Sequence, residues 1–124
     1  MSQSNNSMLD DRFWHSPPAE YQSAWQALFV QSREMLNLST PCPICGARTL
    51  HHWYHLHRRE PKTIGGQLFV GRGGLWEWCS TCGSYEHYSA SVPDWWNCDL
   101  NVPLDELTAQ PTAIEAARRA HEQR

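Results

Sequence analysis

The chain is short of lysine. Lys62 is the only one in 124 residues, and ten basic against thirteen acidic side chains leave a formal charge of −3. That balance lacks the basic excess expected of broad nucleic-acid binding. Long apolar runs are missing too: Ala27 to Val30 is among the longest, far below the roughly 20 residues needed to span a bilayer. Met1 to Ser7 has neither a basic nor an apolar region, so no secretory signal is visible and a cytoplasmic location is expected. No Lys-Ser or Lys-Thr follows the glycines of Gly71-Arg72-Gly73-Gly74, which argues against a phosphate-cradling loop. No set of nucleophile, base and orienting group stands out, so the chain reads as a binding module and not an enzyme.

What is present is cysteine in pairs. Cys42-Pro43-Ile44-Cys45-Gly46 and Cys79-Ser80-Thr81-Cys82-Gly83 each place two residues between cysteines and a glycine after them. Such a tight turn aims both sulfurs at one point. Two of them together offer four thiolates to one ion in a closed tetrahedral shell. The 33 residues between Cys45 and Cys79 leave room for a strand, a loop and a second strand. Two disulfides are disfavoured because nothing marks the chain for export, and a thioredoxin-type redox pair leaves the second CxxC unexplained. A catalytic zinc would keep an open position and usually a histidine ligand. The expected cofactor is one structural Zn2+ on Cys42, Cys45, Cys79 and Cys82, with a rubredoxin-like iron the less favoured occupant. Cys98 has no CxxC partner and reads as a free thiol. The two knuckles resemble those of the zinc ribbons, CPxCG-like turns on adjacent β-hairpins. That resemblance spans residues 40 to 90 and implies a fold without specifying a function.

Around the knuckles the chain reads as follows. Residues 1 to 12 are polar, and are expected to form a mobile tail. Ser16 before Pro17-Pro18 looks like a helix cap, and Tyr21, Ala24, Trp25, Leu28, Phe29, Ser32, Met35 and Leu36 recur at spacings of three and four. They predict an amphipathic helix over 17 to 37 packed on the sheet. Alternation over Arg48 to Arg59 predicts a strand with Thr49, His51, Trp53, His55 and His57 on one face and Leu50, His52, Tyr54 and Leu56 on the other. The second face is expected inward. The first, a row of imidazoles around a tryptophan, is expected outward; His55 and His57 share it and invite a second metal, though no carboxylate accompanies them. Glu60-Pro61-Lys62 is expected to break the strand, and Gly65-Gly66 and Gly71 to Gly74 to form two turns between short strands. Trp76 and Trp78 then share one side of the next strand, and Ser84 to Ser89 form another, ended by Val92-Pro93-Asp94-Trp95-Trp96. A turn of helix is expected at Leu104 to Leu107. Thr112-Ala113-Ile114-Glu115 matches a capping box ahead of a short, mostly polar surface helix. The expected fold is α+β: a zinc-ribbon-like antiparallel β-meander over residues 13 to 100 with an N-terminal helix, then a C-terminal extension, 101 to 124, with a short helix.

Seven tryptophans in so short a chain point to protein–protein contact, because tryptophan gives large contact area at low entropic cost. The expected partner surface is Trp53, His55, His57, Trp76, Glu77, Trp78, Glu86, Trp95 and Trp96. Gly73 to Gly83, with Tyr85 to Ser89 and Val92 to Trp96, is similar to small bacterial proteins encoded beside polymorphic toxins. This resemblance, within residues 42 to 96, implies an immunity protein that binds a cognate toxin and blocks its active site. Glu77, Glu86, Asp94 and Asp99 would then cover a basic toxin site. The competing expectation is a nucleic-acid or transcription-associated ribbon, using Arg48, Arg58, Arg59 and Arg72 beside stacking aromatics.

Overall fold

Leu50 to Leu56 and Leu75 to Cys79 carry bulky side chains at both odd and even positions, so a strand made from either has two faces to bury. The computed structural model describes residues 11–123 and places both stretches in one antiparallel sheet of order β1-β2-β3. The strands are β1 Leu50–Ile64, β2 Gln67–Cys79 and β3 Tyr85–Pro93. Helix α1, Gln22–Gln31, lies before the sheet in sequence, and helix α2, Thr112–Glu122, ends the chain. The fold is α+β, a meander with one helix at each end. Most of the expected tail lies outside the described residues; its last two positions belong to a 3-10 turn, Asp11–Phe13.

Each face of the sheet has its own core. On one, Trp25 and Phe29 of α1 pack with Leu38, Leu50, Cys42 and Cys79. On the other, Trp53, Trp76 and Trp78 pack with Trp14, Leu100, Val102 and Ile114. The expectation that the His51–Trp53 face lies open is therefore corrected: His51, Trp53, Trp76 and Trp78 are all buried. The C-terminal extension covers them, anchored by the Trp76 indole N–H donating to the Thr108 carbonyl at 2.9 Å. The helix expected to lie at the surface is likewise part of this layer, with Ile114, Glu115 and Arg118 buried. Its capping box does not form. Pro111 occupies the cap position, and the Glu115 carboxylate turns inward to Trp78 instead of back to the backbone.

Helix α1 is shorter than the 17 to 37 that spacing predicts. A 3-10 turn, Ala19–Tyr21, leads into it; Pro18 and not Ser16 precedes that turn; and the chain becomes extended at Ser32. The cause is pairing with β1. The Leu38 N–H donates to the Leu50 carbonyl at 3.0 Å and the His52 N–H to the Leu36 carbonyl at 2.9 Å, with Leu36 held at φ 61°. Continuing the helix would forfeit these bonds and leave the edge of β1 unpaired where it is buried.

β1 also runs through Glu60-Pro61-Lys62 without breaking. Pro61 is tolerated because β1 is an edge strand and its register against β2 shifts between Arg59 and Lys62. Gly65-Gly66 form the hairpin turn as expected, both at positive φ. Gly71 to Gly74 do not form a second turn. They lie inside β2, where an added Cβ on Gly71 would sit 2.0 Å from the Arg58 carbonyl oxygen and one on Gly73 2.0 Å from the His55 carbonyl oxygen. Glycine here permits close approach of backbones beside the register shift between Leu56 and Arg58. Gly73→Ala is therefore expected to lower stability by about 3 kcal/mol, the upper end of overpacking costs. Gly66→Ala, strained but in open space, should cost only about 1 kcal/mol. Urea unfolding of the metal-loaded proteins compares the two, and equal costs would refute the packing argument.

Candidate metal centre and its surroundings

The two knuckles have the same local design. In the first, the Gly46 N–H donates to the Cys42 carbonyl at 2.9 Å; in the second, the Gly83 N–H donates to the Cys79 carbonyl at 3.0 Å. Both glycines sit at positive φ, 82° and 83°, which turns the chain back after the second cysteine. Each turn is then closed by a further bond: Cys42 N–H to Ala47 O at 2.8 Å, and Cys79 N–H to Ser84 O at 2.9 Å. The first turn is fixed to the sheet by the Leu38–Leu50 bond beside it, and the second leaves the end of β2 directly.

As a result the four sulfurs converge. Cys42 Sγ lies 3.9 Å from Cys82 Sγ, Cys45 Sγ lies 3.7 Å from Cys79 Sγ, and all four are within 4.8 Å of one another. A tetrahedron with metal–sulfur bonds of about 2.3 Å has edges of about 3.8 Å. Cys42 and Cys79 are buried, Cys82 half-buried and Cys45 exposed, and none of them is in a disulfide. Without a cation the arrangement is electrostatically poor. Burial pushes Cys42 up to about 12, and the charges of Cys79 and Cys82 add to it. Cys45 is raised by burial and by Cys79. Cys79 is held below the usual thiol value although burial opposes this, because the Thr49 hydroxyl and the amides of Cys82 and Thr81 stabilise its thiolate. Thr49 Oγ1 is 3.3 Å from Cys79 Sγ and 2.7 Å from Thr81 Oγ1, so the two hydroxyls form a relay toward the sulfur. A metal cation would remove the repulsion and fill the shell, and the four donors fit one.

A part of the centre that spacing did not reveal is the N-terminal segment. His15 pairs with the strand after the second knuckle: its N–H donates to Gly83 O at 3.0 Å and its carbonyl accepts from Tyr85 N–H at 2.9 Å. The His15 ring Nε2 donates to the Cys82 carbonyl at 2.8 Å. A single histidine before two prolines carries no sequence signal for this; only the folded chain brings it there.

The histidine row divides into two kinds. His51 and His52 are buried and structural. The His51 Nδ1–H donates to Asn37 Oδ1 at 2.8 Å while Nε2 accepts from the Ser80 hydroxyl at 3.1 Å, and burial, then the Arg118 charge, pushes its pKa down to about 3. It is therefore neutral with one ring nitrogen donating and the other accepting. His52 donates to the Glu34 carbonyl and is also lowered by burial. His55 stacks on Trp53 with ring centroids 5.9 Å apart, and His57 is exposed. Among the described residues the four cysteines are the group of three or more metal ligands that converges; the His55 and His57 rings lie 4.9 Å apart with no further such ligand converging on them. Cys98 stands apart from the shell, half-buried against the tryptophan core, with its thiol raised by burial.

The expected partner residues are split by the fold. Trp53, Trp76 and Trp78 belong to the core, so they are not available as surface. Glu77 is only 2% exposed; burial raises it to about 7, while the Tyr88 hydroxyl, donating to Oε2 at 2.8 Å, opposes the shift. His55, Glu86, Trp95 and Trp96 are half-buried and His57 is open. Trp96 packs on Tyr54 and His52, with centroids at 4.9 and 5.1 Å, whereas Trp95 faces outward beneath the Arg33 guanidinium at 5.3 Å. No helix among the described residues is long and apolar enough to cross a membrane. Comparison of the chain with protein-family models, with curated proteins and with solved structures finds no match.

Proposed function

We propose that this chain is a structural-zinc module that acts by protein–protein contact, and that its partner is a cognate bacterial toxin that it neutralises. The observation that supports contact is the rim beside Trp95: Val30 and Tyr88 are exposed along the cleft that Arg33 and Trp95 also line. Outward aromatics with an arginine over one of them are the residue types that dominate binding energy at interfaces. Glu86, Asp94 and Asp99 supply acidic groups at the surface or half-buried, suited to steering a basic active site, while Glu77 is too deep for that role. Zinc is proposed over iron because an all-cysteine closed shell in a small domain is its usual structural setting. The toxin reading rests further on the resemblance of residues 73 to 96 to proteins encoded beside polymorphic toxins.

The test is affinity purification of the tagged, metal-loaded chain from its native host, with the partner identified by mass spectrometry. Expected is one stoichiometric protein whose toxicity on expression is suppressed by co-expressing this chain. Trp95→Ala should weaken the complex at least tenfold, since a central aromatic anchor contributes roughly 2 kcal/mol or more. Recovery of ribosomal or polymerase components would overturn inhibition in favour of a second reading. That reading is favoured by the exposed Arg58, Arg59, Lys62 and Arg72 of the β1–β2 hairpin, and it predicts single-strand binding that falls steeply with salt.

A further inference from the structure

The sheet has two outer edges, and the chain finishes them differently. Along β1, residues 36 to 38 pair with Leu50 and His52, and the stretch beyond carries Arg58, Arg59, Glu60, Pro61 and Lys62. Charges and a proline keep an exposed edge from pairing with another strand. Between His87 and Ser91, β3 has no lysine, arginine, carboxylate or proline, and its register against β2 is unbroken from Tyr85 to Val92.

The direction of each backbone group along this edge follows from its ends. The Tyr85 N–H points away from β2, to the His15 carbonyl, while the Asp94 N–H points back to the Leu68 carbonyl at 3.1 Å. Alternation then turns the N–H and C=O of Tyr88 and Ala90 toward β2, and those of His87, Ser89 and Ser91 outward. Among the described residues these three outward pairs have no backbone partner. The edge already takes a strand at its start, where His15 forms a parallel bridge to Ser84. Pro17 and Pro18 follow, and without N–H groups they cannot carry that pairing on to His87.

What fits the open segment is a copy of itself. Run antiparallel and aligned on Ser89, residues 87 to 91 put His87 opposite Ser91 of the second copy and Ser89 opposite its own equivalent. All three outward residues then meet outward residues, so each N–H finds a carbonyl. Tyr88 falls opposite Ala90 of the second copy, large against small, and no like charges face each other. His87, Tyr88 and Ser89 are exposed, so no side chain has to leave a core to make the contact. We propose that two copies of this chain join antiparallel through β3, centred on Ser89, into one six-stranded sheet. The inference stands on the edge itself and does not require the toxin reading.

The experiment is sedimentation equilibrium of the metal-loaded full chain from micromolar to millimolar concentration, with amide exchange followed by NMR at both ends. Expected is a mass that climbs from the 14.3 kDa of one chain toward twice that value. The His87, Ser89 and Ser91 amides should exchange quickly when dilute and become protected when concentrated, with Tyr88 and Ala90 protected throughout. Ser89 is exposed and lies opposite Gly74 on β2, so charged substitutions there leave the fold in place. Ser89→Glu or Ser89→Lys alone should weaken the dimer about fivefold or more, because like charges then stand directly opposite each other. An equimolar mixture of the two variants should associate more tightly than either alone, the signature of position 89 facing itself. A mass fixed at 14.3 kDa across the range would overturn the proposal. So would a dimer whose affinity both Ser89 variants leave unchanged, since it would use another surface. Both readouts use the purified chain alone, so neither depends on the outcome of partner capture.

Discussion

Stripping the metal from Cys42, Cys45, Cys79 and Cys82 is expected to unfold the sheet end of the protein, not merely to loosen a loop. Cys42 and Cys79 sit in the same core as Trp25, Phe29, Leu38 and Leu50, so without a cation the thiolates cannot be held together there and the link between the two knuckles is lost. Structural zinc in finger peptides contributes roughly 10–16 kcal/mol of apparent binding free energy at neutral pH, as much as a small domain's entire stability of about 5–15 kcal/mol. A tight chelator should therefore abolish near-ultraviolet dichroism and shift tryptophan emission to the red, and one equivalent of Zn2+ should restore both. Cys79→Ser should reproduce the metal-free state without chelator, because Cys79 is the ligand with the most completed set of donors to its sulfur. A metal-free chain with unchanged dichroism would refute the structural role of the site.

Glu115→Ala is expected to be the most damaging substitution away from the cysteines. Glu115 is 1% exposed, and its carboxylate accepts from the Trp78 indole at 2.8 Å, from Arg118 at 2.9 and 2.8 Å, and from Arg119 at 2.6 Å. Burial works against its charge, but these donors hold the carboxyl below its ordinary value. Removing it leaves Arg118, itself buried, with only the half-exposed Glu122 as counter-charge, and leaves the Trp78 N–H without its acceptor. Breaking a buried pair in this way costs roughly 3–5 kcal/mol. For a domain of this size that corresponds to a fall in melting temperature of roughly 10–20 °C. Urea unfolding of the metal-loaded variant measures it, and a loss below 1 kcal/mol would show that α2 is dispensable to the core. Arg118→Met in the same background should recover part of the loss, since it removes the stranded charge.

Both substitutions mark where reading the chain succeeded and where it stopped. The four-cysteine cluster was legible because every determinant is local. Two residues between cysteines and a glycine at positive φ make each turn, and pairing of Leu50 with Cys79 then brings the two turns together. Strand alternation and the Gly65-Gly66 turn were legible for the same reason. Glu115 was not: Thr112 to Glu115 satisfies the pattern of a capping box, and the pattern says nothing about an indole N–H waiting 37 positions earlier in the chain. The capping role lost because a buried Trp78 donor and two arginines offer the carboxylate stronger partners than an exposed backbone amide.

The remaining departures share a cause. The end of α1, the strand glycines and the histidine row each have a local preference that contacts distant in sequence override. Met35 and Leu36 extend the helical spacing, yet the backbone at 36 to 38 binds β1. Gly71 to Gly74 look like turn residues, yet they let β1 approach β2 closely. His51 and Trp53 look like a polar outer face, yet the C-terminal extension covers them and leaves His51 neutral. By itself, then, the sequence determined the two knuckles, their four ligands, the strand faces and the existence of a helix at each end, because those follow from spacing and local backbone geometry. Only the tertiary structure decided which faces are buried and which carboxylates are hubs, because burial depends on what packs opposite, and here that is supplied by segments far away in the chain.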